Sequence, residues 1–119
     1  MRRSQIRMSA AVLMMLSGCK PTVTESDAIF AGYCTAIYPY AEVAIQRGYL
    51  AYRPGTFEGV QRAFDNAFSA PIEWAEENLN IFLRESGRGR NHGGAIQRGD
   101  IVSEDITRLE ACINWAANL

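Results

Sequence analysis

The sequence has little histidine, little lysine and few cysteines. His92 is the single histidine, Lys20 is the single lysine, and the cysteines are Cys19, Cys34 and Cys112. A structural zinc site usually takes four nitrogen or sulfur ligands, so we expect neither a metal site nor another cofactor. A Ser–His–Asp triad would have to use His92, which lies in a glycine-rich stretch, whereas the base of a triad must be rigidly held. We therefore expect no enzyme.

The sequence also has no transmembrane run and no strand pattern. The apolar run near the start, Met8–Leu16, has nine residues, whereas a membrane-spanning helix needs about 20. Alternation of apolar and polar residues, typical of half-buried strands, does not occur, and there is no internal repeat. These absences favour a small helical domain over a membrane-spanning or β protein.

Leu16-Ser17-Gly18-Cys19 resembles the lipobox of bacterial lipoproteins. It follows the parts of an export signal, namely a basic start and an apolar core: Arg2, Arg3, Arg7 and Met8–Leu16. The alternative interpretation is an ordinary cleaved signal peptide in which Cys19 has no role.

The resemblance implies cleavage before Cys19 and attachment of acyl chains such as palmitate to it. Each buried methylene contributes about 0.8 kcal/mol, and stable anchoring needs two chains or more, so membrane lipid is one expected partner. In that family an aspartate after the cysteine retains the protein at the inner membrane. Lys20 stands there instead, which implies the periplasmic face of the outer membrane.

The expected organisation is a signal peptide over 1–18, a lipid anchor and tether over 19–26, and a helical domain over 27–119. The mature chain has nine basic residues against 13 acidic ones, a net charge of about −4. A basic surface for nucleic acid is therefore not supported, and lipid rather than charge must hold the protein at an anionic membrane.

With Cys19 acylated, Cys34 and Cys112 remain as a pair. Export places them in an oxidising compartment, where small domains are commonly cross-linked, so we predict a Cys34–Cys112 disulfide. Two buried free thiols are the alternative. For a loop of this length the chain-entropy estimate is about 4–5 kcal/mol of stabilisation, as an upper figure.

Helical spacing of apolar residues predicts an all-α fold, a small four- to five-helix bundle stapled by one disulfide. The first helix begins near Ala28, capped by Ser26 or Asp27, and is expected as two pieces with a bend at Pro39. Further helices follow Thr56, Ala70-Pro71, and Asp100 or Ser103. The glycine-rich stretch 87–99, after a stop signal at Ser86-Gly87, is predicted to be a loop.

The candidate partner-binding residues are tyrosines and arginines. Tyrosine is favoured at interfaces because it combines apolar area with a polar tip, and arginine can grip carboxylate or phosphate groups. The candidates are Tyr38, Tyr40, Tyr49, Tyr52, Arg88, Arg90 and Arg98. Glu73, Glu76 and Glu77 have the spacing of paired glycosidase carboxylates, but three acids in a helix's first turn are more simply explained by the helix dipole.

Three functions remain open. The plan of a lipid anchor, short tether and small cysteine-paired helical domain resembles the helical pilotins that escort secretins, a likeness of architecture that transfers no residues. The cluster Phe30-Ala31-Gly32-Tyr33-Cys34 is similar to the Gly, Tyr and Cys cluster of helical type VI amidase immunity proteins, which implies an inhibitor of a secreted periplasmic toxin. A structural lipoprotein of an envelope or phage assembly is the third. Each implies one envelope or toxin protein as partner.

Overall fold

The computed structural model describes residues 22–119; the predicted signal peptide over 1–18, Cys19 and Lys20 lie outside the described residues. Within that range the chain forms four α-helices, α1 (Glu25–Gln46), α2 (Thr56–Ala67), α3 (Glu76–Ile96) and α4 (Ser103–Ala117), with a 3-10 turn over Pro71–Glu73. Cys34 and Cys112 form a disulfide. The predicted all-α bundle with one disulfide is confirmed.

The four helices run up and down, with α1 at the centre. α1 packs against α2, α3 and α4, and α2 also packs against α4. The disulfide ties α1 to α4, and nearer both ends of the described chain Trp115 Nε1 donates to Asp27 Oδ1 at 3.2 Å. Both ends of the described chain therefore lie at one end of the bundle, and the α1–α2 and α3–α4 connections lie at the other.

α1 begins earlier than predicted, inside the expected tether. Its N-cap is Thr24, whose hydroxyl accepts from the Asp27 backbone N–H, while the Asp27 carboxylate accepts from the Thr24 backbone N–H. Asp27 is thus the third residue of a capping box rather than the cap itself. The sequence offered Ser26 and Asp27 as caps because it has polar side chains at consecutive positions.

The predicted division of the first helix at Pro39 is wrong, because α1 is one helix of 22 residues that contains Pro39. Pro39 is exposed, whereas Ile37, Ala41 and Ala44 on the opposite side are fully buried. The backbone hydrogen bond that proline removes therefore lies on the solvent side of the helix. Burial of the other face holds the helix together across it.

The predicted loop over 87–99 is wrong, because α3 continues through it to Ile96. Gly99, just after the helix end, has a φ of +89°, and the Asp100 N–H donates to the Ala95 carbonyl at 3.0 Å. This six-to-one bond is the Schellman arrangement that commonly closes a helix at glycine. The stop signal predicted at Ser86-Gly87 is wrong, because Gly87 lies inside α3. Gly99 is the glycine that follows the end of the helix.

The glycines inside α3 allow it to approach α1 closely. A Cβ atom on Gly89 would lie 2.6 Å from the Tyr33 carbonyl oxygen and 3.0 Å from Ala36 Cβ, and one on Gly93 would collide with the Tyr40 ring. On α1, Gly32 meets the backbone of α3 in the same way. These glycines serve helix packing, which explains why α3 forms despite their weak helix propensity.

The helix expected after Ala70-Pro71 begins later than predicted. Trp74 is buried among aromatic side chains, but Ile72 is 77% exposed and Leu83 is 55% exposed. The reason is that Pro71–Glu73 forms a separate 3-10 turn and α3 begins only at Glu76. The helical register assumed from Pro71 onward therefore does not apply.

α1 is long and apolar enough to meet the composition criteria for a membrane span. Half of that apolar stretch is buried inside the bundle, and the helix carries Cys34 of the disulfide. A central core helix of a helical domain has these same properties.

Candidate functional site

The four candidate tyrosines occupy two different places. Tyr38 packs partly buried against the main core, and Tyr40 lies half-buried over Gly93 of α3. Tyr49 and Tyr52 both line a cavity where the chain leaves α1. The structure thus brings together one pair of the predicted tyrosines and assigns Tyr38 and Tyr40 to helix packing.

The cavity beside Tyr49 and Tyr52 has a volume of about 390 Å³ and opens to solvent. It lies between the α1–α2 connection and α4, at the end of the bundle away from residue 22. Six residues line it: Tyr49, Leu50, Ala51, Tyr52, Ile106 and Glu110. Its wall is mostly apolar and aromatic, with one carboxylate.

Two helix ends fix the position of Tyr49. Gly48 has a φ of +83°, and the Tyr49 N–H donates to the Ala44 carbonyl at 2.8 Å, so α1 closes in a Schellman motif as α3 does. The Tyr49 ring lies 3.3 Å from the place that a Cβ on Gly99 would occupy. Tyr49 is 48% exposed, so its ring is held at the backbone while its other side faces water.

Tyr52 carries an unusual polar atom. Its hydroxyl is buried and has no hydrogen-bond partner within residues 22–119, while its ring meets Phe57 edge-on at 5.4 Å between centroids. Burial, and secondarily the Glu110 carboxylate, raises the pKa of Tyr52, which keeps the hydroxyl protonated. A buried hydroxyl without a partner costs about 1–3 kcal/mol of stability. A ligand or a water that forms a hydrogen bond with it would remove this cost.

The helix after this connection is fixed by an acid from α1. One Glu42 carboxylate oxygen accepts from the Gly55 N–H at 2.9 Å, and the other accepts from the Phe57 N–H at 2.8 Å. Backbone N–H groups at a helix start otherwise lack partners, so Glu42 takes the part of a cap. The residues from 47 to 55, including both cavity tyrosines, are therefore anchored at each end.

The three candidate arginines do not form one cluster. Arg88 Nη1 bonds Glu85 Oε1 at 2.7 Å, Arg98 lies 3.8 Å from Asp100, and Arg90 is exposed on α3. Because α3 is helical here, successive arginines point in different directions. The predicted loop on which they could have gripped an anion is helical up to Ile96.

A second concavity, about 180 Å³, lies between α3 and α4 with α1 as its floor. Apolar atoms of Ile29, Phe30 and Ala111 line it, and Arg88 and Arg108 stand at its sides. Both arginines already have acidic partners, because Glu85 pairs with Arg88 and Asp105 with Arg108. The two buried carboxylates are thus neutralised within the fold.

A contact between Tyr33 of α1 and His92 of α3 joins the floor of this groove to one of its sides. Tyr33 Oη and His92 Nδ1 lie 2.6 Å apart, and the Arg88 guanidinium lies 5.8 Å from the centre of the Tyr33 ring. Burial raises the pKa of Tyr33 to about 12. Burial and, after it, the charge of Arg108 lower the pKa of His92. Both groups are therefore neutral at pH 7, and in the Nε2–H tautomer the Tyr33 hydroxyl donates to Nδ1.

We expect His92 to make stability depend on pH. Its folded pKa is below the ordinary value of about 6.5, so the unfolded chain binds the proton first, and stability falls as the pH drops through that value. Comparing urea unfolding of the wild type and His92→Gln from pH 8 to pH 5 checks this. The wild type should lose more stability on acidification; equal slopes would contradict the assignment.

The remaining candidates carry no assembled chemistry. Glu73, Glu76 and Glu77 are all exposed around the start of α3. Within residues 22–119 there is no group of three or more His, Cys, Asp or Glu side chains placed to hold a metal ion. Sequence reasoning missed Ile106 and Glu110 of the cavity; their four-residue spacing puts them on one face of α4, but nothing in the sequence pairs that face with Tyr49 and Tyr52.

Comparison with known proteins finds no match to this chain among protein-family models, curated proteins or solved structures.

Proposed function

We propose that this chain is a lipoprotein anchored through acylated Cys19 at the periplasmic face of the outer membrane, and that its helical bundle binds a protein partner. The observation that carries the binding role is the open, tyrosine-lined cavity beside Tyr49 and Tyr52. Tyrosine is over-represented among the residues that dominate protein interfaces, and Tyr49 is both half exposed and fixed in place.

The position of the cavity suits an anchored binding module. Thr22, where the described chain begins, is three residues from Cys19, a stretch of at most about 11 Å. Acyl chains on Cys19 would therefore emerge beside the start of α1. The cavity, at the opposite end of α1, would face away from the membrane toward a partner.

Among binding roles, we favour an escort or assembly factor of the kind that pilotins represent. The groove between α3 and α4 has an apolar floor between two arginines, a shape in which a partner segment can lie against helices. Toxin inhibition is the alternative. A protruding loop could plug the active site of a toxin, but residues 87–96 extend α3 instead.

Replacing Cys19 by serine should move the protein from the membrane to the soluble fraction. The acyl chains are the proposed anchor, and an acidic domain gains little from an anionic surface. Fractionation of envelopes, with a carbonate wash, measures this. Ser26→Ala, an exposed position of α1, is the control and should stay in the membrane. Retention of Cys19→Ser in the membrane would contradict lipid anchoring.

Affinity capture from detergent-solubilised envelopes then separates the two binding roles. A secretin as the captured protein supports piloting and contradicts immunity, whereas a secreted hydrolase supports immunity and contradicts piloting. Tyr49→Ala is the matched variant, because the ring is half exposed and its loss should weaken capture with little effect on the fold. Unchanged capture by Tyr49→Ala would contradict a role for the cavity.

A further inference from the structure

We propose that the cavity beside Tyr49 and Tyr52 receives a basic side chain, lysine or arginine, of the partner protein. This inference rests on the proposed binding function and names the chemistry of the group that enters the cavity. Charge, aromatic surface and the unpartnered hydroxyl of Tyr52 carry it.

Charge favours a cation. Glu110 is the charged residue among the six that line the cavity, it is exposed, and within residues 22–119 it makes no ion pair. The arginines beside the α3–α4 groove, by contrast, already have acidic partners. The cavity therefore holds an acid that a partner can still neutralise, in a domain whose net charge is negative.

The wall of the cavity matches the rest of a long basic side chain. Leu50 and Ile106 offer apolar surface for its methylene groups, as lysine and arginine stems require. The rings of Tyr49 and Tyr52 offer aromatic faces, which attract a cation within about 6 Å. The volume of about 390 Å³ lies at the low end of ligand pockets, about 300–1,000 Å³, and suits a side chain better than a helix.

The Tyr52 hydroxyl supplies the polar contact. It is buried without a hydrogen-bond partner in the described chain, and Glu110 is near enough to raise its pKa. A guanidinium or ammonium group between them would donate to the Tyr52 oxygen and to the Glu110 carboxylate. Both groups are acceptors, and a basic side chain provides several donors at once.

Peptide titration followed by amide NMR tests the inference. The protein is the mature chain with Cys19→Ser, and the probes are acetyl-Gly-Arg-Gly-amide, acetyl-Gly-Lys-Gly-amide and acetyl-Gly-Glu-Gly-amide. The basic peptides should shift the amides of residues 49–52, 106 and 110, and the acidic peptide should not. Glu110→Gln should weaken binding about tenfold, as loss of a charge-assisted contact does, whereas Glu77→Gln, an exposed acid of α3, should leave it unchanged.

Several outcomes would overturn the inference. One is that the acidic peptide shifts the same amides equally, and another is that Glu110→Gln leaves the shifts by the basic peptides unchanged. The third is that guanidinium chloride binds as tightly as the arginine peptide, which would make the cavity a site for small cations. Failure here leaves the proposed function standing if Tyr49→Ala still loses its captured partner. Peptide binding with no captured partner would instead contradict the proposed function alone.

Discussion

Removing the disulfide should cost the bundle about 3–5 kcal/mol of unfolding free energy. Cys34 and Cys112 are 78 residues apart in sequence, so the bond confines most of the unfolded chain, and the entropy of that confinement is about 4–5 kcal/mol before native strain is subtracted. Small domains are stable by about 5–15 kcal/mol in total. The bond therefore supplies a large share of the stability of this one.

The experiment compares guanidinium unfolding of the oxidised wild type with the double variant Cys34→Ala/Cys112→Ala. Both cysteines are buried, so part of any loss could come from the smaller side chains. The reduced wild type keeps both sulfur atoms and isolates the cross-link. Reduced protein and double variant should unfold at similar, low denaturant concentrations; a double variant as stable as the oxidised wild type would contradict the estimate.

Gly89→Ala should destabilise the bundle by about 1–3 kcal/mol, whereas Gly87→Ala should stabilise it by about 0.5–1 kcal/mol. Both positions lie inside α3 and gain the same helix propensity. The new methyl at position 89 would lie 2.6 Å from the backbone oxygen of Tyr33, while at position 87 the nearest atom is 3.9 Å away, on the flexible Arg90 side chain. Only the first forces two helices apart.

Urea unfolding with the disulfide intact measures both variants. Opposite signs of the stability change support the close contact between α1 and α3, because helix propensity alone would make both variants more stable. If Gly89→Ala is also stabilising, the glycines of α3 are not needed for packing. In that case, we expect the residues of α3 that line the α3–α4 groove to keep their contacts with α1 and α4 in both variants.

Sequence reasoning succeeded where local rules apply and failed where the answer lies in another helix. Apolar spacing was enough for the all-α class, and the pairing of Cys34 with Cys112 followed once Cys19 was set apart. Glycines 87, 89, 93 and 94 suggested a loop because glycine weakens helices. Their purpose at 89 and 93 depends on the backbone at Tyr33 and on the ring of Tyr40, which no local window contains.

Only part of the candidate site was predicted from the sequence. Tyr49 and Tyr52 were named for their residue type, and they do share a cavity. Ile106 and Glu110 were not, since they are more than 50 residues away along the chain and meet the tyrosines only after α4 packs. Tyr38 and Tyr40 were grouped with that pair because a bend was assumed at Pro39, and the continuous α1 carries them elsewhere.

The length of α1 sets the distance between the beginning of the helical domain and the tyrosine cavity. Its 22 residues extend about 33 Å at 1.5 Å per residue, and it runs without interruption from Glu25 to the connection that lines the cavity. If Cys19 carries the proposed acyl chains, α1 would place the tyrosine cavity up to about 30 Å from the lipid surface. Under that proposal, partners that project from the membrane would meet the cavity there, whereas segments embedded in the bilayer would lie beyond its reach.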